Sequence, residues 1–98
     1  TDLEPWLEEH PELNTFIIVG VCTDICVYHA ATFFRIRANV RAEENAQIIV
    51  PANSVQTYDM PVEVAAEVGA MPHDGDLLHR VFLYQMALNG VDVVASLA

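Results

Sequence analysis

The sequence predicts an α/β fold built on a doubly wound parallel sheet. Three apolar segments rich in β-branched residues are candidate buried strands: residues 16–19, 47–51 and 91–95. The segments between them carry apolar residues at helical spacing. Strands that alternate with helices favour right-handed crossovers and a parallel sheet. A parallel sheet is normally covered by helices on both faces, giving three α/β/α layers. Because three strands make a poor sheet alone, we expect about half of such a domain.

Length and composition are those of one small domain or part of one. The chain has 98 residues, 53% of them hydrophobic, which is enough for a packed core. No apolar run approaches the length of a membrane span, and no signal-peptide pattern is present. Because the chain begins at Thr1 rather than at methionine, we expect it to be part of a longer product.

The charge balance excludes several classes of partner. The net charge is −10, from 14 carboxylates against four arginines, and lysine is absent. Nucleic acids and anionic membranes are polyanions, so neither is an expected partner. The two cysteines stand four residues apart and make no disulfide framework, which favours a reducing cytoplasm.

The first helix is expected within residues 1–13, with Thr1 and Glu4 matching a capping box. Its acidic side chains are most simply a solvated face: Glu8, Glu9 and Glu12. A second helix is predicted over residues 25–37, and its apolar stripe packs on the sheet. That stripe consists of Val27, Ala30, Ala31 and Phe34.

The second half continues with a polar loop, residues 52–59, at the carboxyl end of the second strand. A weak helix over residues 62–68 ends at Gly69, and a clear helix begins near Asp74 and closes at Asn89-Gly90. One side of this last helix is predicted to pack on the sheet: Leu77, Leu78, Val81, Phe82, Gln85 and Leu88.

The turn after the first strand is a natural place for a nucleophile. Gly20 marks the turn, and Thr23 or Asp24 is suited to cap the helix that follows. Cys26 then falls in the first helical turn, where unbonded N–H groups and the helix dipole favour a thiolate. Ligands of open α/β sheets bind at this edge. The alternative interpretation is a small buried helix residue.

Residues 20–27 read Gly-Val-Cys-Thr-Asp-Ile-Cys-Val. This segment resembles the G-x-x-T-D-x-C-V nucleophile motif of the isochorismatase-like cysteine hydrolases, which include the nicotinamidases. The resemblance covers roughly the whole chain. It implies that residues 1–98 are the C-terminal part of a single domain, with the last three strands of a six-stranded, Rossmann-like sheet.

The resemblance also implies an activity. Cys26 would attack the carbonyl of a small amide of the nicotinamide type and form a thioester; isochorismatases of the same family lack this cysteine. The oxyanion site would use the N–H groups of Cys26 and Cys22, with a cis peptide between Val21 and Cys22. The family commonly has alanine where Cys22 stands. The catalytic aspartate and lysine of the family lie upstream of this segment, and Asp24 belongs to the turn.

The candidate substrate-binding residues are Val21, Thr23, Asp24, Asn53 and Tyr58. No cofactor is expected, and the metal ligands of the nicotinamidase branch would lie upstream. The expected partners are a small-molecule amide, the upstream half of the domain and further copies of the chain in a homo-oligomer.

Several other readings of the polar residues remain open. His29, three residues after Cys26, could form a Cys–His dyad. Cys22, Cys26 and His29 could bind zinc, although no close fourth ligand is apparent, and the Cys22–Cys26 spacing is not that of a C-x-x-C redox pair.

A second polar cluster comprises residues 73–76 together with His79. It could bind a metal or act as an acid–base group, but helix capping is the simpler account. The whole chain could also be a non-catalytic α/β module that retains the motif for binding or oligomer assembly.

Overall fold

The computed structural model describes residues 2–97; Thr1, the predicted capping residue, and Ala98 lie outside that range. The helices and strands follow one another along the chain as α1 (Leu3–Glu9), β1 (Thr15–Ile17), β2 (Gly20–Val21), a π-helical turn (Thr23–Val27), α2 (Tyr28–Val40), β3 (Gln47–Pro51), a 3-10 turn (Ala52–Ser54), β4 (Val55–Gln56), α3 (Val62–Val68), α4 (Gly75–Leu88) and β5 (Asp92–Val94).

The main sheet has three parallel strands in the order β1-β3-β5. Phe16 pairs with Ile48, and Val50 with Val93, so the three strands predicted from apolar runs form one sheet. This confirms the predicted α/β class with parallel strands. Both crossovers advance across the sheet in the same direction, so α2 and α4 lie on the same face and contact each other.

A second, two-stranded parallel sheet pairs β2 with β4 and was not predicted from the sequence. Gly20 pairs with Val55, and Val21 with Gln56. The chain leaves the main sheet at Gly20, whose φ of 120° is rarely open to residues with a Cβ. The pairing is only two residues long, too short for a recognisable alternation of side chains.

The core lies between the main sheet and helices α2 and α4. Its buried members come from both layers: Val27, Ala31, Ala38, Ile48, Val50, Val55, Met86 and Val91. The predicted stripe of α2 is confirmed, since Val27 and Ala31 are buried and Ala30 and Phe34 are half-buried.

The expectation that the first strand is buried on both faces is wrong for the residues described. Phe16 and Ile18 face the helices, and the Phe16 ring stacks on Phe34 with centroids 4.4 Å apart. Ile17 and Val19 alternate onto the other face and are 50% and 55% exposed. The reason is that α2 and α4 cover one face only, while the opposite face of β1 remains open.

The predicted inner side of α4 is partly wrong. Leu77, Val81 and Leu88 are exposed, whereas Met86 is fully buried. Apolar residues occur on nearly all sides of this helix, so spacing does not decide which side faces the sheet. Packing against α2 and β5 selects the face that includes Met86.

The start of α4 and the end of α3 lie where local sequence signals predicted them. The Asp74 carboxylate accepts a hydrogen bond from the Leu77 N–H at 3.0 Å, so Asp74 caps α4. Gly69 ends α3 with φ 70°. Glu8 is exposed, as predicted for a solvated face, and it also pairs with Arg41, the residue that follows α2, at 2.6 Å. None of the helices in residues 2–97 is long and apolar enough to cross a membrane.

Replacing Ile48 by alanine should destabilise the protein by about 2–5 kcal/mol, because a fully buried side chain is removed and a cavity remains. Ile36→Ala is the matched control: Ile36 is 60% exposed, so its change should stay within about 0.5 kcal/mol. Urea denaturation followed by circular dichroism measures both changes. Equal losses for the two variants would contradict the assignment of the core.

Candidate active site

Cys26 lies in the π-helical turn Thr23–Val27, immediately before α2, and its side chain is exposed. The residue that precedes the turn is Cys22, which has extended backbone angles and makes no capping bond with its side chain. The predicted capping role of Thr23 or Asp24 is therefore wrong. Their side chains bind other elements instead.

The backbone of this turn follows an unusual hydrogen-bond pattern. The carbonyl of Cys22 accepts bonds from the N–H groups of Ile25 and Val27, each at 3.1 Å. The bond to Val27 spans five residues, which defines a π-type turn. Cys26 lies between these two donors, and its N–H does not bond to that carbonyl.

The peptide bond between Val21 and Cys22 is cis, the conformation that the resemblance implies. Val21 belongs to β2, whose pairing with β4 brings the 52–59 loop next to the turn. A crevice of about 260 Å³ lies there, lined by Gly20, Val21, Asn53, Ser54, Val55 and Gln56. The structure therefore brings together two of the predicted substrate-binding residues, Val21 and Asn53.

Thr23 is fully buried, with 0% of its surface exposed. Its hydroxyl lies 2.8 Å from Nδ1 of His79, on α4. A side chain in this position cannot reach a substrate from solvent, so the predicted substrate contact of Thr23 does not fit the structure. The pair instead ties the π-helical turn to α4.

Asp24 is also engaged within the protein. Its carboxylate accepts a hydrogen bond from the Thr57 hydroxyl at 2.7 Å and one from Nε2 of His73 at 2.6 Å. Burial by itself would raise the pKa of Asp24, but these two bonds, together with a backbone N–H and the charge of His73, hold that pKa below its ordinary value. The bond to Asp24 likewise raises the pKa of His73, against the opposing effect of burial.

Tyr58 contacts His73 through both its ring and its backbone carbonyl. The ring stacks on His73 with centroids 4.0 Å apart, and Nδ1 of His73 lies 2.7 Å from the Tyr58 carbonyl oxygen. His73 and His79 thus belong to the site region, although the sequence pattern favoured capping for this cluster. No periodic signal links them to residues about fifty positions earlier, because these contacts are purely tertiary.

The other readings of the polar residues find no support in residues 2–97. No three His, Cys, Asp or Glu side chains in that range form a group that could hold a metal ion. Cys22, Cys26 and His29 therefore do not fit a metal. The His29 ring lies edge-on to Tyr28 with centroids 5.7 Å apart, and no hydrogen bond joins it to Cys26 within the described chain.

A search of family models gives no match to the chain. Among curated proteins, it is similar to Nicotinamidase 1 of Arabidopsis thaliana, at 32% identity over 95 residues. That alignment covers 95% of this chain and 38% of the relative. The chain therefore spans about two fifths of the length of the curated relative that it matches.

Two solved structures have a similar fold. A nicotinamidase from Staphylococcus aureus superposes with a TM-score of 0.63 at 27% identity, covering 96% of this chain and 44% of that one. An isochorismatase-like hydrolase from Alkaliphilus metalliredigens gives a TM-score of 0.52 at 16% identity, covering 96% and 39%. The second likeness concerns the fold alone.

Cys26 should react with iodoacetamide faster than Cys22 near neutral pH, because Cys26 is exposed and Cys22 is half-buried. Timed labelling of the folded protein, followed by peptide mapping, measures the two rates in one sample. Labelling in urea serves as the control, since unfolding should bring the rates together. A faster reaction at Cys22 in the folded protein would contradict the assignment of Cys26 as the accessible thiol.

Proposed function

We propose that this chain belongs to the isochorismatase-like hydrolase family, that it carries the nucleophile of a small-amide hydrolase, and that Cys26 is that nucleophile. The observation that carries the proposal is the exposed thiol of Cys26 in a π-helical turn at the end of a strand. Such turns are rare and occur frequently at functional sites. The similarity to nicotinamidases supports an amide as the substrate.

The proposed reaction has two halves. In the first, the base takes the proton of the Cys26 thiol, the thiolate sulfur attacks the carbonyl carbon of the amide, the base passes that proton to the nitrogen, and the C–N bond breaks. Ammonia or an amine leaves, and the acyl group stays on sulfur as a thioester. In the second, water attacks the thioester, the carboxylic acid leaves, and the thiol is restored.

The negative charge that develops on the substrate oxygen needs hydrogen-bond donors. We assign this role to the N–H groups of Cys22 and Cys26. The hydrogen-bond pattern of the turn supports the assignment of Cys26, since its N–H does not bond to the Cys22 carbonyl, which accepts from Ile25 and Val27 instead. Val21 and Asn53, which line the adjacent crevice, are the candidate contacts for the rest of the substrate.

The base is not supplied by the residues around Cys26. Asp24 is held by Thr57 and His73, and the sequence contains no lysine. We propose that this chain forms the C-terminal part of a single domain, the rest of which supplies an aspartate base and a lysine. We further propose that the complete protein acts in the cytoplasm on nicotinamide or a related amide, as a homo-oligomer.

Cys26→Ala in the complete protein should lower the rate of ammonia release from nicotinamide by about 10⁴-fold, because no covalent intermediate can form. His29→Ala is the control: it removes a polar side chain of α2 three residues after Cys26 and should leave the rate within about threefold. A large loss in His29→Ala would favour the Cys–His dyad. Retained activity in Cys26→Ala would favour the non-catalytic module.

Residues 1–98 alone should release no ammonia from nicotinamide, because the base is missing and acid–base assistance is typically worth about 10²–10⁴-fold. The assay compares equal concentrations of this segment and of the complete protein, with Cys26→Ala of each as the blank. Turnover by the segment that disappears in its Cys26→Ala form would contradict the proposed division of the site.

A further inference from the structure

Four groups from three separate segments form what we term the Asp24–His73 clasp: the carboxylate of Asp24, the hydroxyl of Thr57, the carbonyl of Tyr58 and the imidazole of His73. Asp24 belongs to the π-helical turn, the next two to the loop after β4, and His73 to the segment before α4. The clasp therefore connects the turn that carries Cys26 to two distant parts of the chain.

The geometry of the clasp determines the protonation of His73. Nδ1 lies 2.7 Å from the Tyr58 carbonyl oxygen, and Nε2 lies 2.6 Å from Oδ2 of Asp24. A carbonyl oxygen and an ionised carboxylate can only accept hydrogen bonds, so both ring nitrogens must donate. His73 is then an imidazolium cation paired with the Asp24 anion. The raised pKa of His73 and the lowered pKa of Asp24 agree with this charge state.

His73 is itself held firmly. Its backbone exchanges two hydrogen bonds with Met60, at 2.7 and 2.8 Å, and its ring stacks on Tyr58. The side chains of His73 and Asp24 are only 10% and 8% exposed, so little water competes for the bond between them. A charge-assisted bond in such surroundings is among the stronger and more directional of protein hydrogen bonds.

We propose that His73 is a positioning residue for Cys26. It holds Asp24, and thereby orients the turn in which Cys26 stands two residues further along. The proposal rests on the proposed function in that Cys26 is taken as the reacting group. His73 does not act as the base, because both of its ring nitrogens carry protons and bond to acceptors.

The pair is intact above the lowered pKa of Asp24 and below the raised pKa of His73. Falling pH removes the charge of Asp24, and pH rising well past about 6.5 takes one proton from His73 and breaks one of its two bonds. Other titratable groups also surround His73 from the loop after β4 and the start of α4: Tyr58, Asp59, Asp74 and Asp76.

The test uses two variants of His73 in the complete protein. His73→Asn has an amide nitrogen only at the Nδ1 position and loses the bond to Asp24. His73→Gln reaches the Nε2 position and retains a neutral donor to Asp24. We expect His73→Asn to lower kcat for amide hydrolysis by about 10- to 100-fold with KM changed less than about threefold, because small misplacements of a reacting group are costly. His73→Gln should recover most of this loss.

Hydrogen–deuterium exchange of the peptide that contains residues 22–27 provides a readout without substrate. Exchange should accelerate in His73→Asn, and in the wild type above the pKa of His73 after correction for the intrinsic rate. It should depend less on pH in His73→Gln. The wild-type comparison across pH keeps the proposal testable even where His73→Asn fails to fold, as judged by circular dichroism.

His10→Asn is the matched control. His10 also contacts a carbonyl through Nδ1, that of Trp6 at 2.8 Å, and stacks on that residue's ring, but bonds to no carboxylate within residues 2–97. It should change neither kcat nor the exchange of residues 22–27.

Unchanged exchange and unchanged kcat in folded His73→Asn, alongside inactive Cys26→Ala, would overturn the positioning role and leave the proposed function standing. Faster exchange in a protein that does not hydrolyse amides would support the clasp and refute the proposed function instead.

Discussion

Side-chain hydrogen bonds hold the turn that carries Cys26: Thr23 bonds to His79, and Asp24 bonds to His73 and Thr57. Cys22 lies between β2 and this turn, and its carbonyl is shared between two N–H donors of the turn. The side chains of the turn's first two residues, Thr23 and Asp24, bond to elements outside the turn. The shape of the turn therefore depends on these hydrogen bonds. His73 and His79 must both be in place for Cys26 to be held in position.

The structure also depends on how the two faces of the main sheet are covered. Helices α2 and α4 cover one face and bury Ile48 and Val50 completely, whereas the opposite face exposes Ile17 and Val19. Apolar surface left in water forgoes about 25 cal/mol for each Å² that a covering layer would bury. In addition, β1 is an edge strand of the sheet formed by residues 2–97, with backbone groups on one side that no described strand pairs. Both features suit contact with further protein, in a chain that spans about two fifths of its matched relative.

The parallel-sheet architecture also bears on where the nucleophile and the base of a site come from. Sites in open parallel sheets collect residues from the carboxyl ends of several strands, so nucleophile and base commonly come from different parts of a chain. In the proposed site, this part of the chain would contribute Cys26 and the N–H groups around it, while the carboxylate of nearby Asp24 bonds to Thr57 and His73. A carboxylate close in sequence to a nucleophile is thus no evidence of a base until its hydrogen-bond partners are known.

The sequence predicted features that depend on neighbouring residues better than features that depend on contacts between distant parts of the chain. Apolar runs and local capping residues identified the three strands, the cap at Asp74 and the end of α3 at Gly69, because each depends on neighbours in sequence. The eight-residue motif of positions 20–27 placed Cys26 after a strand for the same reason. The π-type turn and the small β2–β4 sheet were not predicted, since their signals are too short.

The sequence by itself determined the fold class, the order of strands and helices, and the chemical identity of the candidate nucleophile. Only the tertiary structure decided which side of α4 is buried, that one sheet face is open, and that Thr23 and Asp24 bind histidines rather than cap a helix. The physical reason is distance along the chain. Asp24 and His73 are 49 positions apart, and no local periodicity records a hydrogen bond that exists only after the helices have packed on the sheet.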